Sequence, residues 1–131
     1  MPGIAPKLPL SLDPSDINVY KATKTLPETI HQNLKMLVLT IPGERIMMPE
    51  YGVGIKKYLF ENDTYYLRQR LRSKIEKQIQ VYMPFISLSS VNINSSSNSI
   101  SSTNHNEGVM NVSIIYSVPG FGGNAVLELS L

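Results

Sequence analysis

Two alternating runs at the end of the chain restrict the fold more than any other sequence feature. In the first run an apolar side chain occupies every second position, at Met110, Val112, Ile114, Tyr116 and Val118. The second run alternates again, at Ala125, Leu127, Leu129 and Leu131. Successive side chains of a β-strand point to opposite faces, and the PGFGGN between the runs has the composition of a turn. The pattern therefore predicts two adjacent strands that share one apolar face.

Residues 26–39 are predicted to form a first helix. Thr25 and Glu28 have the spacing of a capping box, and Pro27 lies in the first turn, where its missing N–H costs nothing. The apolar side chains that share one face are Leu26, Ile30, Leu34 and Leu37. Pro42 disfavours α conformation at the residue before it, so the helix is expected to end there.

A second helix is predicted from about Thr64 to Tyr82. Asn62 or Asp63 is the predicted N-terminal cap, and Pro84 ends the helix because it cannot continue one. The predicted apolar stripe comprises Leu67, Leu71, Ile75, Ile79 and Tyr82.

A further strand is predicted beyond this helix, from the apolar residues Ile86, Leu88, Val91 and Ile93. The Ser- and Asn-rich stretch SSSNSISSTNHNE follows it and has the composition of a long flexible hairpin loop. Together these elements predict an α+β fold in which two helices pack on one face of a small antiparallel sheet.

The first 16 residues are set apart by four prolines, with Leu8, Leu10 and Leu12 alternating between them. Proline fixes φ and removes a donor, so we predict an extended Pro-rich arm that forms neither a helix nor a central strand. Two alternatives remain open for this arm, namely disorder and docking onto a partner. The predicted organisation is an arm at 1–16 and a single α+β domain at 17–131.

Composition argues against several classes of function. The chain has 131 residues, of which 42% are hydrophobic and 17% charged, and its net charge is +2. That charge is too small to indicate nucleic-acid binding, and no apolar run is long enough to span a membrane. The absence of cysteine excludes disulfides and fits an intracellular protein. So few charges favour a subunit of a larger assembly.

The connector between the two helices, GERIMMPEYG, holds the strongest candidates for catalytic or binding residues in the sequence. Glu44 and Glu50 suggest general acid–base catalysis, but nothing places them across one cleft and no tryptophan is present to line a sugar site. The glycines from Gly52 lack the third glycine of a dinucleotide loop. His31 and His105 have no companion ligands at metal spacing. We therefore predict no catalytic residue, metal, cofactor or small-molecule substrate.

Basic residues outnumber acidic ones between Lys56 and Lys77. The predicted solvent face of the second helix and the segment before it carries Lys56, Lys57, Arg68, Arg70, Arg72, Lys74 and Lys77. A solvated helix face and a contact with an acidic protein partner are both consistent with this pattern. Nucleic acid is disfavoured, because no aromatic stacking platform interleaves with the charges.

Three short motifs carry a resemblance to a known family: Gly43-Glu44-Arg45, Pro49-Glu50-Tyr51-Gly52 and Leu59-Phe60-Glu61. With a helix before them and a charged helix ending in Tyr-x-Pro after them, the chain resembles the wedge family of contractile phage baseplates. Type VI secretion baseplates carry a relative of that family. The resemblance covers roughly residues 25–93 and, by pattern, the C-terminal strands.

The resemblance implies that the connector is a structural corner rather than an active site. The implied corner residues are Gly43, Glu44, Arg45, Pro49, Glu50, Gly52, Leu59 and Phe60. The charges of Glu44, Arg45 and Glu50 are expected to satisfy one another at the turn, as ionic groups that would be costly to bury alone. Leu59 and Phe60 are expected to plug the core.

One departure from the family pattern lies where the second helix meets the sheet. Family members usually carry Glu-Pro-Arg there, a motif that contacts neighbouring wedge subunits, whereas this sequence has Met83, Pro84 and Phe85. The proline is kept and both charges are lost. Either the wedge contact is apolar here, with Met83 and Phe85 as anchors, or this surface has a different partner.

Assembly is the function that the resemblance implies. The chain is expected to be a non-enzymatic structural subunit of a virion tail baseplate, assembled in the bacterial host cytoplasm, that joins wedge subunits and initiates the tail sheath by strand pairing. The implied sheath-binding strand comprises Val126, Leu127, Glu128, Leu129, Ser130 and Leu131. The alternatives are a peptidoglycan-hydrolysing, lysozyme-like enzyme and a small cytoplasmic adaptor of the same fold. No nucleic-acid or membrane partner is expected.

Overall fold

The computed structural model describes residues 3–15, 20–96 and 109–131. The chain divides into two compact units, residues 1–36 and 37–131. The helical elements are α1 (Leu26–Leu39), a 3₁₀ helix (Ile55–Phe60) and α2 (Tyr65–Tyr82). The strands are β1 (Ala5–Pro6), β2 (Ala22–Thr23), β3 (Ser87–Ser96), β4 (Val109–Val118) and β5 (Phe121–Ser130). They form two antiparallel sheets, β1–β2 and β3–β4–β5, so the α+β class is confirmed.

The N-terminal segment pairs with its own chain instead of extending alone. β1 lies antiparallel to β2, and Leu12 forms an isolated bridge with Tyr20. The pairing includes Pro6, which has no backbone N–H to donate. The N–H groups on either side of it supply the hydrogen bonds instead: Ile4 donates to the Thr23 carbonyl at 2.9 Å, and Lys7 donates to the Lys21 carbonyl at 2.8 Å. The predicted extended arm is therefore not confirmed over the residues that the structure describes.

Side chains of α1 hold this segment in the first unit. The Gln32 amide donates to the Pro6 carbonyl at 2.9 Å and accepts from the Leu8 N–H at 3.0 Å. Lys7 lies 3.0 Å from a Glu28 carboxylate oxygen, and the Lys7 ammonium lowers the pKa of that carboxyl below its usual value. These contacts explain why a proline-rich stretch with little apolar burial is still ordered.

Helix α2 begins one residue later than predicted and has a different cap. The Thr64 hydroxyl accepts from the Leu67 N–H at 3.2 Å, which satisfies one of the unpaired donors of the first turn. The prediction of Asn62 or Asp63 as the cap was wrong, because Asp63 instead receives a hydrogen bond from the Arg68 guanidinium at 2.8 Å. The predicted stripe is confirmed at four buried positions, Leu67, Leu71, Ile75 and Ile79.

The three-stranded sheet has β4 in its centre and β5 at one edge. Met110, Val112, Ile114 and Tyr116 are buried along β4, and Leu127 and Leu129 are buried along β5. The strand alternation predicted from the sequence is thus confirmed. The central sheet residue Tyr116 is held away from water, and this burial raises the pKa of its phenol.

Strand β3 contains a β-bulge that its sequence encodes. The pairing with β4 shifts between Leu88 and Ser90, and the buried residues change from even numbers at Ile86 to odd numbers at Val91 and Ile93. One extra residue in a strand reverses the face of every later side chain, so the phase change in the apolar pattern follows from the bulge. Ser95 and Ser96, the first two residues of the predicted Ser- and Asn-rich loop, belong to β3, and the rest of that loop, with His105, lies outside the described residues.

Candidate functional site

The segment Gly52–Gly54 lies against the end of α1. The Val53 N–H donates to the Leu37 carbonyl at 3.1 Å, and the Gly54 N–H donates to the Thr40 carbonyl at 2.9 Å. These bonds satisfy carbonyls that a helix end leaves without partners. Gly52 is required at this approach, because its φ is +112° and an added Cβ would lie 2.2 Å from the Thr40 carbonyl oxygen.

Gln78 of α2 fixes the other side of the same segment. Its side-chain oxygen accepts from the Gly52 N–H at 3.0 Å, and its side-chain nitrogen donates to the Glu50 carbonyl at 3.1 Å. One amide therefore joins the connector to α2. The sequence carries no signal for this role, since a glutamine on an amphipathic helix is typical of a solvent-facing position.

The expectation that Glu44, Arg45 and Glu50 form an ionic cluster was wrong. All three are exposed, and the structure shows no ion pair among them. The Glu44 carboxylate accepts from the Ile41 N–H at 3.1 Å, and the Arg45 guanidinium lies 4.0 Å from the centre of the Tyr51 ring. Backbone hydrogen bonds hold the corner, so its charges remain in water, and an exposed cation–π contact contributes only about 0.5–1 kcal/mol.

The expectation for Leu59 and Phe60 was also wrong. Leu59 is half-buried and Phe60 is 93% exposed, whereas Ile55 and Tyr58 are buried. The reason is the 3₁₀ geometry of this segment, in which side chains three residues apart eclipse one another. Ile55 and Tyr58 therefore share the inward face, and Phe60 is turned towards solvent.

The junction between α2 and β3 separates the two expected interface anchors. Met83 is only 5% exposed and its N–H donates to the Ile79 carbonyl at 2.8 Å, so it belongs to the core and closes the end of α2. Its predicted role as a surface anchor is contradicted. Phe85 is 50% exposed and follows an exposed Pro84, which leaves its ring accessible to a partner.

The outer edge of β5 presents backbone groups that no described residue uses. Met110 and Leu131 exchange both of their backbone hydrogen bonds at 3.0 Å. Opposite residues in an antiparallel pair alternate between hydrogen-bonded and non-hydrogen-bonded positions. In the observed register, Ile115↔Val126 and Ser113↔Glu128 fall on non-hydrogen-bonded positions. The N–H and C=O groups of Val126 and Glu128 therefore point away from β4.

The basic residues of α2 lie in two different environments. Arg68 pairs with Asp63, which raises the pKa of the guanidinium, and the Arg72 guanidinium lies 3.2 Å from a Glu76 carboxylate oxygen. A separate cleft between α2 and the 3₁₀ helix is lined by Tyr58, Tyr66, Gln69, Arg70, Ser73, Lys74 and Lys77. The cations in this cleft face no acidic lining residue, which fits the expectation of a solvated or acid-binding face.

The described residues offer neither a metal-binding cluster nor a membrane-spanning helix. No cluster of three or more His, Asp or Glu side chains is placed to hold a metal ion in the part of the chain that the structure describes. Among the described helices, none has the length and apolar character needed to cross a membrane.

Comparison with known proteins gives a consistent set of similarities. The family model described as Baseplate wedge protein gp25 matches residues 24–120. One chain in the cryo-EM structure of the anti-feeding prophage baseplate is 27% identical, with a TM-score of 0.68 over 88% of this chain and 84% of that one. A crystal structure from Geobacter sulfurreducens, given the provisional name of a tail lysozyme, is 21% identical, with a TM-score of 0.68 over 85% and 94%. No curated protein matches the sequence.

Replacing Gly52 with alanine should destabilise the fold severely. The substitution adds backbone strain of about 1–3 kcal/mol at positive φ, and its Cβ also collides with the Thr40 backbone. Gly43→Ala is the matched control, because Gly43 has φ +98° but open space around it. We expect chemical denaturation to give a loss of about 1–3 kcal/mol for Gly43→Ala and a clearly larger loss, or no folding, for Gly52→Ala. Equal losses would show that the close approach is unimportant.

Replacing Gln78 with alanine should lower the free energy of unfolding by about 1–2 kcal/mol, because a backbone donor and a backbone acceptor both lose their partner. Gln80→Ala serves as the control, since Gln80 is an exposed glutamine on the same helix. Urea denaturation of the two variants measures the difference. Identical midpoints would mean that water replaces the Gln78 amide without cost.

Proposed function

Because the chain belongs to the Baseplate wedge protein gp25 family, we propose that it joins neighbouring wedge subunits and initiates the tail sheath by strand pairing at β5. Family membership makes it a subunit of the baseplate of a phage or phage-like tail particle. Its similarity to a chain of the anti-feeding prophage baseplate supports the same assignment. We expect it to assemble in the cytoplasm of the bacterial host.

The observation that carries this proposal is the unpaired edge of β5. Val126 and Glu128 each direct one N–H and one C=O outward, as the register with β4 requires. An added strand would satisfy these groups at roughly 0.5–1.5 kcal/mol net for each hydrogen bond. The burial of Leu127 and Leu129 fixes the face that β5 presents, so an incoming strand meets one defined register.

Wedge joining is proposed to use Phe85 and Pro84, without Met83. Phe85 is a large ring that is half exposed at a sharp change of chain direction, between the end of α2 and the start of β3. Aromatic anchors of this kind contribute a large share of the energy of protein interfaces. The contact is apolar, which agrees with the loss of both charges from the family's motif.

A structural role is proposed in preference to catalysis. A glycosidase needs two carboxylates that flank one bond, with one of them protonated near neutral pH. Here Glu44 is exposed and accepts a backbone hydrogen bond, and Glu50 is exposed on the same connector. The relative that carries a lysozyme name is 21% identical and supports only the fold. A peptidoglycan clearing assay with the purified protein tests the non-catalytic role, because clearing would support the hydrolase alternative instead.

Replacing Glu128 with proline should prevent sheath assembly while the protein stays folded. Proline removes the outward N–H and fills its place, and edge strands tolerate proline where the N–H faces solvent. Glu128→Ala is the control, because it removes the side chain and keeps the N–H. Circular dichroism establishes folding, and electron microscopy of particles that carry each variant shows the sheath. Normal sheath on Glu128→Pro baseplates would contradict the proposal.

Replacing Phe85 with alanine should weaken association with wedge subunits by about 1–3 kcal/mol and leave the melting temperature nearly unchanged. The matched control is Phe121→Ala, since Phe121 is also partly exposed but is the first residue of β5, far along the chain from the α2–β3 junction. Titration of each variant into purified wedge complex measures the affinity. Unfolding of Phe85→Ala would identify Phe85 as a core residue, and equal weakening by both variants would remove its special role.

A further inference from the structure

The middle of the connector in the second unit forms an exposed apolar loop tip, Ile46-Met47-Met48. Ile46 is 95% exposed and Met47 is 92% exposed, and Met48 is half exposed beside them. Single exposed apolar residues are common on protein surfaces, but a run of three large ones at one loop tip is not. Neither the corner role nor the strand edge of β5 explains this run.

The tip is held by a closed and ordered base. The Gly43 N–H donates to the Pro49 carbonyl at 2.8 Å across the base of the loop, and the Tyr51 N–H donates to the Met48 carbonyl at 3.1 Å. Gln78 fixes the backbone just beyond Pro49 to α2. A loop that is ordered before binding loses little conformational freedom when it binds. The base therefore presents the tip in one arrangement.

We propose that Ile46 and Met47 insert into an apolar pocket on a neighbouring baseplate subunit. This inference rests on the proposed function for the class of its partner, and it assigns a contact surface separate from Phe85 and β5. Methionine side chains adapt to irregular pockets because they are unbranched and polarisable. A small apolar anchor on a rigid base is typical of the few residues that dominate the energy of an interface.

The size of the tip argues against a second copy of this chain as the occupant. Three side chains of this kind bury on the order of 300 Å² when they are fully covered. A stable dimer buries roughly 800 Å² on each partner. The tip fits one anchor point within a larger multi-subunit contact.

The charges around the tip argue against a lipid surface. Loops and helices that insert into anionic bilayers are flanked by cations. This tip is flanked by the exposed carboxylates Glu44 and Glu50, and the neighbouring Arg45 lies over the ring of Tyr51. A protein pocket with an apolar floor and donor groups at its rim is the complementary partner.

The test uses purified full-length protein and the wedge complex of the same particle, obtained from cells that express its other baseplate subunits without this chain. Biolayer interferometry measures the Kd of the unchanged chain and of the double variant Ile46→Ser, Met47→Ser. We expect the Kd of the double variant to rise roughly tenfold or more, with an unchanged melting temperature because both residues lie in solvent. Ile46→Leu with Met47→Leu should retain the affinity.

Phe60→Ser is the matched control, because Phe60 is equally exposed on another element of the same unit. Equal weakening by Phe60→Ser would show a general effect of surface hydrophobicity and overturn the inference. Binding of the unchanged chain with no effect of the double variant would overturn it while leaving the proposed function intact. No binding by the unchanged chain would overturn the proposed function as well.

Two further measurements identify the competing occupants. Analytical ultracentrifugation that shows self-association of the unchanged chain, lost in the double variant, would assign the tip to a second copy. Flotation with vesicles that contain phosphatidylglycerol, again lost in the double variant, would assign it to a membrane. Either result overturns the proposed protein pocket, and the inference requires both to be negative.

Discussion

The close approach of Gly52 to the backbone of Thr40 is the contact on which the second unit depends. It brings two N–H groups onto the Leu37 and Thr40 carbonyls, so the chain that leaves α1 folds back over the helix end. Gln78 then ties the same point to α2. From this junction Val53, Ile55 and Tyr58 enter the core in succession. The corner is therefore held together by the close backbone approach that Gly52 allows.

Charge has a smaller part in this architecture than its position in the sequence suggests. The acids and the arginine of the connector remain in water, whereas Arg68 pairs with Asp63, just before α2, and Arg72 pairs with Glu76 on α2. Burying an ionic group is costly unless every partner is in place. Backbone groups and one neutral amide make the same connection without that desolvation cost. The corner consequently holds its shape without a buried charge, and its exposed apolar side chains are available for the proposed contact with another subunit.

Periodicity predicted the elements of the fold, and local geometry decided where prediction failed. The helices, the strand alternation and the α+β class followed from apolar spacing. The change of phase in that spacing between Leu88 and Val91 corresponds to the bulge in the structure. Phe60 was misplaced because a 3₁₀ turn has a period of three, which no apolar pattern in six residues distinguishes. Gln78 was missed because its partners are backbone groups 26 and 28 residues upstream. Met83 was misassigned because a buried and an exposed methionine look alike in sequence.

The exposed carboxylate of Glu128 gives the edge strand a built-in preference among partners. If two copies of β5 paired antiparallel about this residue, two like charges would stand directly opposite one another on the same face, which is destabilising. An uncovered strand edge is otherwise a template for runaway polymerisation. The single acid at Glu128 thus penalises pairing between two copies of β5 and favours a different strand that carries a neutral or basic residue opposite it.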